Sequence, residues 1–352
     1  MASAQTAEDK CPRYTRFTQQ ELPALRPLLT PGRVVTLLIA IGTVFVPIGA
    51  ACLVASASVV ELKVRYDQTC FANTGAGSMT NTQRQGELWK AGTEGETCNL
   101  RLKVTDDMDA PIYVYYEMSN FYQNHRRIAK SVSATQLRSG EKVEDPDECA
   151  PALYIDNNKT LGGGEEVLPC GLRAATYFND SFALEIAGEE VEVSSKGIAF
   201  KSDVDVKYTD KQARNFNVLV NGTGDYRLGG TIDGRIKDDE RFIVWMRTAA
   251  LPSFRKLWGK ISNRSFKKGE EIVVTVNNRY NSYGYGGEKA LVLSTASWLG
   301  GRNSFLGIAY VAVGAVCYVS AGTFVALFVS QRREFGDLNR LSWVVSKNAQ
   351  GS

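Results

Sequence analysis

Histidine is almost missing from this chain: His125 stands alone among 41 Lys and Arg and 38 Asp and Glu residues. One imidazole cannot build a multi-histidine zinc site. Also missing are a Walker-type phosphate loop, a GxGxxG turn opening a helix, CxxC and HExxH pairs, and a G-x-S-x-G nucleophile elbow. Asp106, Asp107 and Asp109 cluster locally, but without the glycine and closing glutamate of a calcium loop they read as a solvated turn. The net charge of +3 gives no electrostatic footprint for nucleic acid. Low-complexity tracts and fixed-period repeats are absent too, which excludes disordered and solenoid classes. No enzyme, cofactor or metal centre is therefore expected.

Two long apolar blocks are present. Val34–Val60 is uncharged between Arg33 and Glu61, and Ser304–Ser330 is uncharged between Arg302 and Arg332. A membrane span needs about 20 apolar residues, so each block is long enough to cross with some tilt. The first is too long for a signal-peptide core and lies behind a 33-residue polar tail. Basic residues flank the outer ends. Lys10, Arg13, Arg16, Arg26 and Arg33 precede the first block, and Arg332, Arg333, Arg340 and Lys347 follow the second. Only Lys63 and Arg65, then Arg302, lie on the inner flanks. Cytosolic loops carry the excess of Lys and Arg, so both termini are expected in the cytosol. The expected order is an N-terminal tail (1–33), a span (34–60), an exoplasmic domain (61–302), a second span (303–331) and a C-terminal tail (332–352).

Cysteines and glycan acceptors agree with this order. Of seven cysteines, Cys70, Cys98, Cys149 and Cys170 fall in 61–302, an even number in an oxidising compartment. Three pairings are open, and sequence order favours Cys70–Cys98 with Cys149–Cys170. All four N-x-S/T acceptors, Asn158, Asn179, Asn221 and Asn263, lie in the same region. The spans hold no ionisable residue, which argues against an ion path of their own. Gly42 and Gly49, and Gly307, Gly314 and Ala321, form small-residue stripes suited to close helix packing against each other or another membrane protein. Pro47 removes one amide proton from the first span and is expected to kink it or leave a carbonyl free.

Within 61–302, Pro111–Met118, Glu190–Phe200, Arg241–Arg247, Glu271–Val276 and Leu291–Thr295 have strand composition. Ile112, Val114 and Tyr116 would share one face, with Tyr113 and Tyr115 on the other. Helical pattern is confined to the surroundings of Asn120–Ser131 and to Leu251–Leu257. Without βαβ alternation, the expected fold is a mainly-β, antiparallel sandwich-like ectodomain with short helical insertions between two transmembrane helices.

The stretch YYEMSNFYQNHRRI (115–128) has the look of an active site around His125. Its composition of Tyr and Arg fits a contact surface better, since these residues are enriched at binding hot spots. A triad would need a nucleophile and an orienting carboxylate brought to His125 by the fold. Partner contact or a structural role is the expectation.

Several strings taken together resemble a known family. They are TRFTQQELPA (15–24), VVELKVRYD (59–67), APIYVYYEMSNFYQNHRRI (110–128), LPCGLRAATYFNDSF (168–182), KGIAFKSD (196–203), IVWMRTAALPSFRKLWG (243–259) and NRYNSYGYGGEKALVLSTASWLGGRNSFLGIAY (278–310). The chain is similar to the non-catalytic beta subunits of type IV P-type ATPases, the phospholipid flippases, and most of all to the plant ALA-interacting subunits. The resemblance implies a heterodimer with an ATPase alpha subunit and a role in its ER exit and transport cycle. Phospholipid would be moved to the cytosolic leaflet by that partner, in the endoplasmic reticulum, Golgi or plasma membrane. It also implies a glycan on Asn179 of the FNDS string and disulfides among the four exoplasmic cysteines. Arg13, Arg16, Tyr115, Tyr116, Asn120, His125, Arg126 and Arg127 are the expected partner-interface residues, and the small-residue stripes would dock beside helices of the ATPase. A free-standing receptor or adhesion protein, and a membrane-anchored ecto-hydrolase, are the rival readings. Both account for cysteines and glycans but not for the long shared strings.

Overall fold

The computed structural model describes residues 14–23, 30–72, 79–92, 94–217 and 229–330. Arg13, Asn221 and the expected tail 332–352 lie outside them. The chain divides into two units, Leu53–Ser304 and the terminal segments on either side of it.

The Leu53–Ser304 unit contains the strands β1 (Glu61–Arg65), β2 (Glu96–Lys103), β3 (Ile112–Met118), β4 (Ser181–Ile186), β5 (Glu189–Val191), β6 (Phe254–Ile261), β7 (Glu271–Asn278) and β8 (Lys289–Ser294), with inward and outward residues alternating along β2, β3, β4 and β7. They form two antiparallel sheets, ordered β1-β8-β3-β6 and β2-β7-β4-β5. Cys98, Leu100 and Leu102 of β2, Ile272, Val274 and Val276 of β7, and Phe182, Leu184 and Ile186 of β4 all turn inward. The opposing sheet sends in Ile112, Val114, Tyr116, Trp258, Ile261, Leu291 and Leu293, so the two faces share one core. Phe182 meets the Trp258 ring edge-on at 5.1 Å and Tyr66 at 5.6 Å, a favoured arrangement for aromatic pairs.

Short helices fill the connections: α2 (Thr69–Ala72), α3 (Asn81–Ala91), α4 (Arg126–Lys130), α5 (Ala134–Ser139), α6 (Leu172–Ala175), α7 (Lys201–Lys207) and α8 (Glu240–Met246). In α3, Thr80 and Gln83 form a reciprocal capping box. Disulfides join Cys70 to Cys98 and Cys149 to Cys170.

Three expected elements differ. Arg241–Arg247 is helix α8 rather than a strand. Asp239 caps it by accepting from the Phe242 amide at 3.0 Å, and Phe242, Ile243, Trp245 and Met246 are buried at helical spacing. A short apolar run has no period strong enough to separate the two states. Leu251–Leu257, expected helical, enters strand β6, because pairing with β3 supplies its backbone partners. Of Glu190–Phe200, only the start is strand. The remainder turns away, and the Glu240 carboxylate collects the amides of Gly197, Ile198 and Ala199 at 2.8–2.9 Å.

The helices long and apolar enough to cross a membrane are α1 (Pro31–Ala57), whose residues up to Cys52 fall in the other unit, and α9 (Phe305–Ser330), which lies wholly in it. Helix α1 runs through Pro47 unbroken. The small-residue stripes face each other. A Cβ on Gly49 would lie 2.8 Å from a Val311 methyl and 2.9 Å from the Gly307 carbonyl, and one on Gly314 would lie 2.6 Å from Val46. Gly307, Gly314, Cys317 and Ala321 are the buried residues of α9. The Thr43 hydroxyl meets the Tyr318 hydroxyl at 2.9 Å, and Phe45 packs on Tyr310. The expected docking of these stripes on an ATPase is therefore corrected: the pair consumes them, and large apolar side chains such as Leu37, Val44, Ile48, Val316 and Val319 face outward.

Candidate partner-binding surface

The stretch 115–128 begins in β3 and ends in α4. Period two sends Tyr116 inward, where its ring stacks on Phe178 at 3.8 Å, and leaves Tyr115 half-buried on the outer face beside Tyr113. On that face, Glu117 accepts from Lys63 at 2.6 Å and Arg255 at 2.7 Å, while Arg255 also forks onto Glu61 at 2.8 and 2.9 Å. Burial would raise the Glu117 carboxyl, but the hydrogen bonds from Lys63 and Arg255 outweigh it and hold its pKa below the ordinary value.

The chain leaves β3 through Asn120, whose φ of 57° places it in the left-handed region that asparagine tolerates. Its Nδ2 donates to the Tyr285 carbonyl at 2.5 Å. Phe121 drops into a cluster of Trp245, Phe254, Tyr280 and Tyr285. Three bonds then lace the segment to the 249–252 loop. The Phe121 amide donates to the Pro252 carbonyl at 3.1 Å, Asn124 Nδ2 to the Ala250 carbonyl at 2.9 Å, and the Ala249 amide to Gln123 Oε1 at 2.9 Å. The lacing fixes Tyr122 and Leu251 on the surface, 51% and 68% exposed.

His125 Nδ1 accepts from the Arg127 amide at 3.3 Å and so caps α4. Among the described residues its side chain makes no other hydrogen bond, and no hydroxyl, thiol or carboxylate reaches it. Arg126 and Arg127 are exposed, and among the described residues neither is paired with a carboxylate. The segment and the 249–252 loop laced to it expose Tyr122, Leu251, Asn120, His125, Arg126 and Arg127, apolar and cationic side chains on a hydrogen-bonded backbone.

Beside it lies a mostly apolar pocket of about 360 Å³. Its mouth holds Phe200, 62% exposed, with the Arg247 guanidinium 3.9 Å over the ring. Arg247 donates to Asp203 at 2.6 Å, and the bonds from Arg247 and Lys207 keep the Asp203 carboxyl below its ordinary pKa. At the floor, Lys256 donates to the carbonyls of Val244, Trp245 and Arg247, satisfying the end of α8. Burial, followed by the nearby Arg173 charge, lowers the Lys256 pKa to about 7.

A second centre is wholly internal. Asp180 Oδ1 receives the amides of Arg279 and Tyr280 at 2.6 Å each, and Oδ2 receives Tyr66 Oη at 2.7 Å and Lys289 Nζ at 2.6 Å. Lys289 also donates to Asn278 Oδ1 at 2.5 Å and the Tyr280 carbonyl at 2.6 Å. Both ionic side chains are fully buried. Next to Asp180, Asn179 lines a polar cleft of about 550 Å³. Asn158 and Asn263 are exposed.

A family model described as the LEM3 (ligand-effect modulator 3) family / CDC50 family matches residues 52–334. The chain belongs to the CDC50 family. It is 44% identical to ALA-interacting subunit 3 of Arabidopsis thaliana, over 97% of this chain and 93% of that protein. It is 33% identical to human cell cycle control protein 50B, over 93% and 96% of the two chains. A third relative is the phospholipid-transporting ATPase accessory subunit CRF1 of Saccharomyces cerevisiae, 31% identical over 97% and 92%.

In this CDC50 chain the expected interface residues separate. Asn120, His125, Arg126 and Arg127 are exposed along one short segment, and Tyr115 lies half-buried on the outer face of the sheet. Tyr116 is a core residue, 3% exposed, and is corrected to a structural role. Arg16 belongs to a turn in the other unit, closed by the Glu21 amide on the Arg16 carbonyl at 2.7 Å. Sequence reasoning missed Tyr122, Leu251 and the Phe200–Arg247 stack as surface features. A signal was available, since all four lie within the strings that carry the family resemblance. Nothing local marked Tyr122, Leu251 and Phe200 apart from the apolar residues of the core.

Proposed function

We propose that this chain is the non-catalytic accessory subunit of a phospholipid-translocating type IV P-type ATPase. It binds the alpha subunit, accompanies it out of the endoplasmic reticulum and supports its cycle as phospholipid moves from the exoplasmic to the cytosolic leaflet. The carrying observation is family membership over nearly the whole chain, together with a relative named as an accessory subunit of a phospholipid-transporting ATPase. The two apolar helices and the basic residues on their outer flanks support a two-span protein with cytosolic termini and an exoplasmic 61–302 domain. Such a subunit acts in endoplasmic reticulum, Golgi or plasma membrane.

The surface of Tyr122, Leu251, Arg126 and Arg127 is the exoplasmic contact. Arg and Tyr anchors on a hydrogen-bonded backbone give affinity at a reduced ordering cost. Catalysis stays with the ATPase, and His125 serves as a helix cap.

The experiment is co-expression with candidate type IV ATPases, pull-down in mild detergent and scoring of ER exit. Capture of an ATPase that leaves the ER only with this chain supports the reading. Charge reversal at Arg126 and Arg127 should weaken capture, whereas His125→Ala should leave it intact. Surface arrival alone, without capture from a full panel, refutes the reading and favours a free-standing receptor.

A further inference from the structure

The ectodomain joins its helices through a neck that holds one aromatic residue exposed among the described residues. At the end of β8, the Thr295 amide donates to the Val60 carbonyl and Thr295 Oγ1 accepts from the Val60 amide, both at 3.0 Å. Further on, the Asn303 amide donates to Ser56 Oγ at 3.0 Å, and the Ser304 hydroxyl lies 3.4 Å from Ser56 Oγ. The 295–303 connection is thus pinned at both ends to the last turn of α1 and the residues just after it.

Between the pins, Ser297 and Gly300 exchange amide–carbonyl bonds of 2.8 and 2.9 Å. Ser297 Oγ adds a bond from the Leu299 amide at 3.3 Å. Gly300 has φ 112°, a conformation that L side chains rarely adopt. This tight hairpin carries Trp298 at its tip, 76% exposed. Arg302, also exposed, follows within the same neck.

The level of the neck follows from helix geometry. The 27 residues of α1 extend about 40 Å at 1.5 Å each, against a hydrocarbon core about 30 Å thick. The ends of α1 therefore overshoot into the headgroup zones, and Ser56 is its second-last residue. Tryptophan concentrates at that depth because its ring is apolar and its N–H polar. An arginine there meets lipid phosphate.

We infer that the Ser297–Gly300 hairpin is a membrane-interface anchor, with Trp298 inserted among the exoplasmic-leaflet lipid headgroups and Arg302 on their phosphates. The occupant is the bilayer surface. This rests on the reading of α1 and α9 as spans. A rigid anchor at the neck sets how deep the ectodomain sits and how far it tilts.

The test uses the full chain in nanodiscs of phosphatidylcholine, with and without lipid brominated near the headgroup. Resistance to carbonate extraction checks the spans independently. Subtracting Trp298→Phe from wild type isolates the Trp298 emission, and Trp89→Phe isolates an exposed ectodomain control. The expected Trp298 emission is blue-shifted, loses most of its intensity in brominated lipid and resists aqueous iodide, whereas Trp89 shows the reverse. Quenching of Trp298 by iodide alone, in a chain that resists carbonate, overturns the anchor while leaving the spans in place. If Trp298 escapes both quenchers only when an ATPase is bound, a protein covers it, and the lipid assignment falls.

Discussion

Lys289→Met should be among the most damaging single changes available outside the disulfides. The methionine matches the lysine stem in bulk, so packing is preserved and the charge alone is removed. Asp180 would keep three donors, the amides of Arg279 and Tyr280 and the Tyr66 hydroxyl, but lose its counter-ion. Asn278 Oδ1 and the Tyr280 carbonyl would lose the ammonium as a donor. Breaking one side of a buried ion pair costs about 3–5 kcal/mol, which lowers the unfolding midpoint of a domain this size by roughly 10 °C. Lys63→Met is the matched control: it removes a salt bridge whose lysine side chain is 46% exposed, and such pairs are worth about 0–1 kcal/mol. The assay is thermal unfolding of the purified full chain, read with the steady-state fraction leaving the ER. Asp180→Asn combined with Lys289→Met should recover part of the loss, because the asparagine oxygen still accepts from the two amides without a buried charge. A Lys289→Met midpoint within about 2 °C of wild type, the effect of under 1 kcal/mol, would refute the reasoning.

Other changes probe separate parts. Gly49→Leu places a branched side chain where a Cβ already meets Val311 and the Gly307 carbonyl within 3 Å; α1 and α9 should separate, seen as ER retention in pulse-chase, while Gly32→Ala, in open space, should have no effect. Asn179→Gln should remove one glycan step on a gel after endoglycosidase comparison; because Asn179 is only partly exposed at the edge of the cleft, Ser181→Ala, which also abolishes the acceptor, is the paired variant that should give the same step. Glu117 has a folded pKa below its ordinary value of 4.5, so below that value the unfolded chain holds more protons. Its contribution is complete above about pH 4.5 and is lost as pH falls through the folded value. Glu117→Gln should cost about 1 kcal/mol at pH 7 and flatten the acid limb of the stability profile, measured by denaturant titration from pH 7 to pH 3.

The sequence by itself determined the architecture of this protein. Two uncharged runs of spanning length can satisfy their backbone only as helices in lipid, and alternation in 112–118 and 271–276 has one solution when a single face is buried. The strings that carry the family resemblance also contribute core residues such as Ile112, Val114, Phe178, Leu291 and Leu293. Tertiary structure decided the rest. RFIVWM became part of α8 because Asp239 was positioned to cap it, and FRKLW entered strand β6 because β3 offered an edge. Tyr115 and Tyr116 are chemically identical neighbours, yet one lies half-buried outside while the other stacks on Phe178, an assignment set by which face of β3 meets the second sheet. Lys289 reads as an ordinary surface lysine until the fold delivers Asp180, from more than a hundred residues away, to its side chain. Local composition fixes which elements are possible, whereas burial and charge pairing depend on distant segments and exist only once the chain has closed around them.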